Sequence, residues 1–159
     1  MPVVEVAIAI VIAGIVALLV TSTFQTEAEV DSVGQSNVQI NVTAFQWGWR
    51  FDYPGQHVTI TGNSNQPPTM AVPVGVPVDF TITSRDVIHA FWIPEQRFKR
   101  DAFPDRSSEF TLEFDSPGMN GGRCAEFCGL RHDAMLFNVL ALDQGDYRDW
   151  LADRAKGAA

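Results

Sequence analysis

Apolar residues crowd the start of the chain and later spread into short alternating runs. From Val3 to Val20 every residue is apolar or glycine except Glu5. As a helix this run rises about 27 Å, close to the roughly 30 Å hydrocarbon core of a bilayer. Thr21, Ser22, Thr23 and Phe24 extend it, leaving room for tilt. The pattern predicts a transmembrane anchor over residues 1–24. A cleaved signal peptide is the competing reading. Against it, no Lys or Arg precedes the run and no convincing small-x-small cleavage site follows Val20. The first basic residue is Arg50, so flanking positive charge does not orient the helix. Glu5 has two readings. One is a carboxylate at headgroup level, favoured by the helix N-terminus; the other is a proton-pathway group, because ionisable residues at membrane depth are functional candidates.

Residues 25–37 are polar and read as a linker. From Val38 the period becomes two: Val38, Ile40 and Val42 alternate with Gln39, Asn41 and Thr43. Val58 and Ile60, then Val76 to Ile82, then Phe110, Leu112 and Phe114 repeat the signal, and Leu136 to Leu140 forms one more apolar strand. Tyr53-Pro54-Gly55, Gln66-Pro67-Pro68, Val74-Gly75 and Ser116-Pro117-Gly118 punctuate these runs as turns. Short strands with such turns predict an antiparallel β-sandwich or barrel over residues 38–159. Asp143 is a plausible N-cap, and Tyr147, Trp150, Leu151 and Ala155 have helical spacing, which predicts a short C-terminal helix.

Composition narrows the function classes. The chain has 159 residues and a formal charge of −8, which excludes a generic nucleic-acid binder, since that role needs a basic face. Eleven phenylalanines and four tryptophans exclude disorder, and two cysteines are too few for a disulfide-dense scaffold.

The candidate chemistry lies between Gly121 and Met135, where Cys124, Cys128, His132 and Met135 occur together; His89 stands far upstream. A Cys124–Cys128 disulfide would leave His132 and Met135 unexplained. Structural zinc suits two thiolates and two imidazoles but has no use for Met135. The spacing also fits one helix face, although Gly121, Gly122 and Gly129 argue for a loop. The soft set of Cys, Met and His favours copper. A second thiolate four residues after the first lets both bridge two metal atoms, each completed by one imidazole. Sharing one electron across two metals lowers the structural cost of oxidation, which suits electron relay. His57, Met70 and Met119 fall outside the pattern and read as loop or packing residues.

The stretch Cys-Ala-Glu-Phe-Cys-Gly-Leu-Arg-His-Asp-Ala-Met, residues 124–135, resembles the CuA motif of cytochrome c oxidase subunit II. Asp86-Val87-Ile88-His89 resembles the family's upstream histidine segment, residues 44–51 its aromatic cluster, and residues 99–106 its Lys-x-Asp-Ala-x-Pro-x-Arg stretch. The resemblance implies an all-β, cupredoxin-like Greek-key sandwich with one N-terminal transmembrane helix. It implies a binuclear copper centre bridged by Cys124 and Cys128, with His89 and Met135 on one copper and His132 and the Glu126 carbonyl on the other. The Glu126 side chain would hold magnesium toward a haem-copper catalytic subunit I. Trp47 matches the electron-entry aromatic, although Trp49 lies only two positions away. Glu5 matches a carboxylate at a proton-channel mouth.

The implied partners are that catalytic subunit, other oxidase subunits, the lipid bilayer and cytochrome c as donor. The chain's acidic balance suits steering of a basic cytochrome c onto the face above Trp47, with Asp86 a candidate docking contact. The implied location is a prokaryotic plasma membrane or the inner mitochondrial membrane, with the N-terminus cytoplasmic and the copper domain outside. Family members commonly have two transmembrane helices, whereas this chain begins at what resembles the second. Met119 and Asn120 stand where an aromatic is usual, and Arg123 replaces a frequent Gln. No Cys-x-x-Cys-His occurs, so no haem is expected on the chain. Two further readings stay open: a copper relay serving nitric oxide or nitrous oxide reduction, and a binding module on a membrane stalk, either copper-free or zinc-stabilised.

Overall fold

The computed structural model describes residues 2–31 and 38–156. The chain divides into two compact units, Met1–Ser32 and Val33–Ala159. The first is one helix, α1, Pro2–Asp31. Its portion Pro2–Ala28 is apolar and long enough to cross a membrane. The helix does not stop at Phe24. Residues 25–31, read as linker from their polarity, continue it, and the rest of the expected linker lies outside the described residues. Thr21 and Thr23 donate their hydroxyls to the carbonyls of Ala17 and Leu19, and Thr26 to that of Ser22. Polar side chains that would compete with the backbone are thus satisfied by the helix itself.

The second unit is a β-sandwich. Its strands are β1 Val38–Phe45, β2 Gly48–Tyr53, β3 Val58–Asn63, β4 Thr69–Pro73 and β5 Val78–Ser84. They continue with β6 His89–Ile93, β7 Phe98–Ala102, β8 Ser108–Leu112, β9 Gly118–Cys124 and β10 Leu136–Leu142. One five-stranded sheet runs β3-β2-β1-β5-β8 and the other β4-β10-β9-β6-β7. The pairing is not wholly antiparallel, as the alternation suggested: β1 runs parallel to β5, and β4 parallel to β10. Each parallel pair joins strands distant in sequence, so the chain crosses between sheets before returning. The C-terminal helix α2, Gln144–Lys156, lies where its spacing predicts, with the Tyr147 amide donating to the Asp143 carbonyl.

Aromatic side chains fill the space between the sheets. Phe91 on β6 stacks on Phe137 of β10 at 4.5 Å, and Phe80 stacks on Phe110 at 5.0 Å. Trp49 of the opposite sheet meets Phe137 edge-on at 5.2 Å and Phe91 at 5.7 Å. All are buried. Such contacts add on the order of 1 kcal/mol per pair beyond area burial and hold the sheets in register. Tyr53 adds a polar rivet: its hydroxyl accepts from the Ala71 amide and donates to the Ala71 carbonyl, each at 2.9 Å. Burial pushes its pKa up.

Gly121 and Gly122, which suggested a loop, lie inside β9. A Cβ on Gly122 would lie 2.2 Å from two ring atoms of Phe137, so the missing side chain is what admits the ring. Gly122→Ala must displace Phe137 from its stack on Phe91. We expect a loss of about 1–3 kcal/mol, the usual cost of overpacking, seen as a lower urea midpoint for the β-sandwich; an unchanged midpoint would contradict this packing.

Candidate metal centre

Three segments converge at one end of the second sheet. His89 opens β6, Cys124 closes β9, and the following loop carries Glu126, Cys128, His132 and Met135 before β10 begins. The β6–β9 pairing of Phe91 with Cys124 brings the first two together. The Cys124 amide donates to the Met135 carbonyl and the Ala125 amide to the Ala90 carbonyl, fixing both ends of the loop. Inside it, the amides of His132, Ala134 and Met135 donate to the carbonyls of Gly129, Arg131 and His132, forming successive tight turns. The helix-face reading of 124–135 is therefore incorrect.

The side chains turn inward. The two sulfurs lie 3.8 Å apart and both thiols are free. His89 Nδ1 is 3.8 Å from Cys124 Sγ, and His132 Nδ1 is 3.6 Å from Cys128 Sγ. The Met135 sulfur, fully buried, lies 3.8 Å from Cys128 Sγ. The Glu126 carbonyl oxygen lies 3.3 Å from Cys124 Sγ. The ligand atoms of His89, Cys124 and Cys128 fall within 4.8 Å of one another, a spacing that can hold a metal ion. With a thioether included, the soft donor set fits copper better than zinc. The Glu126 side chain is exposed, and among the described residues no other carboxylate groups with it to form a cation site.

Asp86 organises one side of the centre. Its Oδ1 is 2.8 Å from His89 Nε2 and also accepts the Val87 amide, while Oδ2 accepts the Gln46 amide at 2.7 Å. Donation from Nε2 leaves Nδ1 to face the sulfurs, as partners of metal-bound imidazoles commonly arrange. Burial raises the carboxyl pKa, but hydrogen bonds from His89, Gln46 and Val87 outweigh it and the net shift is downward. His89 is likewise penalised by burial, yet bonds to Cys124 and Asp86 raise its pKa. Asp86, a candidate docking contact by the acidic charge balance, thus has both oxygens bonded within the chain.

Trp47 and Trp49 separate cleanly. Trp49 is wholly buried, with its ring centre 6.3 Å from that of His89. Trp47 is half-buried in the β1–β2 turn and donates its indole N–H to the Cys128 carbonyl at 3.0 Å. Gln46 also donates to that carbonyl, through Nε2 at 2.8 Å. Gly129, at φ +112°, makes this approach possible, because a Cβ there would lie 3.2 Å from the Trp47 ring. Gln46 did not stand out in the sequence, although it adjoins Trp47, and Gly129 stood out only as a loop signal. Glu5 belongs to the helical unit.

With this geometry in view, comparison with known proteins is decisive. The family model for the periplasmic domain of cytochrome c oxidase subunit II matches residues 65–142. The β unit belongs to this family. The cytochrome c oxidase subunit 2 of Alkalihalophilus pseudofirmus is 37% identical over 119 residues, covering 75% of this chain and 33% of that protein. A probable cytochrome c oxidase subunit 2 of Streptomyces avermitilis is 31% identical, covering 89% of this chain and 57% of its own length. The chain therefore spans between a third and somewhat over half of these two relatives. The crystal structure of the periplasmic domain of oxidase subunit II from Bradyrhizobium japonicum superposes with a TM-score of 0.71 at 28% identity, covering 80% of this chain and 99% of that one. The β unit thus has the cupredoxin-like sandwich of subunit II.

The two thiols titrate as a pair. Burial opposes ionisation of both. At Cys124 the bonds from His89 and backbone amides prevail and hold the pKa at about 6, whereas at Cys128 burial and the Cys124 charge push it to about 12. Without metal, thiolate absorbance at 240 nm should rise in two well-separated steps, and Cys124→Ser should abolish the lower one. A single step near the ordinary thiol range would contradict the arrangement.

Proposed function

We propose that the chain is the electron-relay subunit of a respiratory haem-copper oxidase, anchored in the membrane by α1. The carrying observation is the convergence of two free buried thiols, two imidazoles and one buried thioether at the end of one sheet. Cys124 and Cys128 would hold two coppers between them, with His89, Met135, His132 and the Glu126 carbonyl as outer ligands. The bound pair supplies single-electron storage at low reorganisation cost. The protein's part is to keep the ligands pre-arranged, so that little moves on oxidation or reduction. Phe91, Trp49 and Phe137 stiffen the wall behind them.

Trp47 is the proposed entry point. The residue is half-buried and so partly open to solvent, and its N–H bond to the Cys128 carbonyl gives a short covalent and hydrogen-bonded path to a ligand sulfur. Electrons would arrive from cytochrome c or a similar carrier and leave for a haem-copper catalytic subunit, which reduces oxygen and translocates protons. The chain alone is a relay. Its net charge of −8 supports electrostatic steering of a basic donor. The family resemblance supports a magnesium ion shared through Glu126, and the resemblance together with its place in the apolar run supports proton entry at Glu5. In this reading α1 enters from the cytoplasmic side and the sandwich stands outside. The structure of an oxidase subunit II caught as a mixed disulfide intermediate with a thioredoxin-like protein supports a further role for the free thiol pair: it would be kept reduced by such a partner before metal uptake.

Loading the chain with copper should give two coppers per chain and an EPR signal from one electron shared between equivalent nuclei. Cys128→Ser should leave at most one copper, and retention of the binuclear spectrum would refute bridging. Met135→Leu should shift the reduction potential more than it lowers copper content, because the thioether is the weak ligand. Turnover of the intact complex with a basic cytochrome c should fall steeply as salt shortens the screening length from about 30 Å at 0.01 M to about 8 Å at 0.15 M; a flat salt profile counts against steering.

A further inference from the structure

Among the described contacts, Gln46 bonds both to a ligand segment and to the carboxylate that orients another ligand. Its amide donates to Asp86 Oδ2, and the same carboxylate holds His89 Nε2. Its side-chain Nε2 donates to the Cys128 carbonyl, between the second thiol and Gly129. Trp47 donates to that carbonyl as well, so its two lone pairs are both taken by this turn. The turn is itself anchored: the Ser64 amide donates to the Trp47 carbonyl, and Phe45 and Gly48 pair across it. A Cβ on Gly48 would lie 2.2 Å from the Gly62 carbonyl oxygen, so β2 is pressed directly on β3 at that point. Rigid sheet therefore reaches the ligand loop through two hydrogen bonds to one carbonyl.

We propose that Gln46 is a positioning residue of the metal centre, a latch that sets Cys128 against His89 through one side-chain and one main-chain donation. The proposal rests on the copper reading of the site. Gln46 is itself exposed and touches no ligand atom, so it acts through the Cys128 peptide. Its carboxamide draws electron density from that peptide and fixes the direction in which Cys128 Sγ points. Bonds of this kind around metal ligands commonly govern affinity on the order of 10- to 100-fold. Glutamate at this position keeps the size but, when ionised, has no proton to donate and faces the carbonyl with negative charge.

The test uses the full chain in detergent, wild type beside Gln46→Glu and Gln46→Ala. Three readouts are taken: hydrogen exchange over residues 125–135 without metal, transfer of bound copper to a cuprous chelator, and the reduction potential of the copper-loaded chain. Both variants should exchange faster across the loop, lose copper on the order of 10-fold faster, and have a lower potential. The urea midpoint should stay near wild type, as for an exposed substitution. Exchange and copper transfer at wild-type rates in Gln46→Glu would overturn the latch. Faster exchange with unchanged copper retention and potential would also overturn it, since the bond would then order the loop without serving the metal. A wild-type chain that takes up no copper would instead bring down the copper reading, and the latch with it.

Discussion

Two sulfur atoms held 3.8 Å apart in a buried site, unbonded to each other, are an electrostatic problem that the surrounding fold must contain. Ionising one raises the cost of ionising the other, because neighbouring like charges in a medium of low polarisability repel strongly. A bound cation of high charge and soft character relieves the repulsion and makes both thiolates useful. The remainder of the site can be understood as preparation for that event. Asp86 keeps one imidazole correctly turned, the loop's internal turns present a second, and Met135 closes the interior side with a polarisable atom that needs no solvation.

The scaffold explains why this preparation holds. His89 and Cys124 lie on adjacent paired strands of one sheet, and the rings beneath them interlock with those of the other sheet. Displacing either ligand would mean opening the aromatic core. The ligand loop is fixed at both ends by backbone hydrogen bonds and between them by its own turns. The β1–β2 turn adds a restraint from the opposite sheet at the Cys128 carbonyl, so both halves of the sandwich contribute to one small site.

The sequence disclosed the parts of the fold whose two faces differ. β1, β3, β5 and β8 lie at or beside the alternating runs, because the two faces of each differ in burial, and β10 lies at the apolar run from Leu136. The run at Val76 is shifted to Val78–Ser84, and Phe114 leaves β8 to pair singly with Val74. β4 and β6 are buried almost throughout and so show no alternation. β9 was hidden by its glycines, whose purpose is visible only once Phe137 is in place. Cys124, Cys128, His132, Met135 and His89 could be singled out because their chemistry is rare. Gln46 could not, because an amide that works through a backbone carbonyl looks like any surface glutamine.

The hydroxyls of Thr21, Ser22, Thr23 and Thr26 each fold back on a carbonyl within α1. A bilayer spanned by α1 would therefore meet no abrupt boundary where the apolar stretch gives way to polar residues. Those few turns would be acceptable to acyl chains and to headgroups alike, since their hydroxyl donors are already internally matched. A helix so graded can rise or sink with local membrane thickness at little cost. The anchor would adapt to the lipid in which it sits, and the lipid would not have to deform around the anchor.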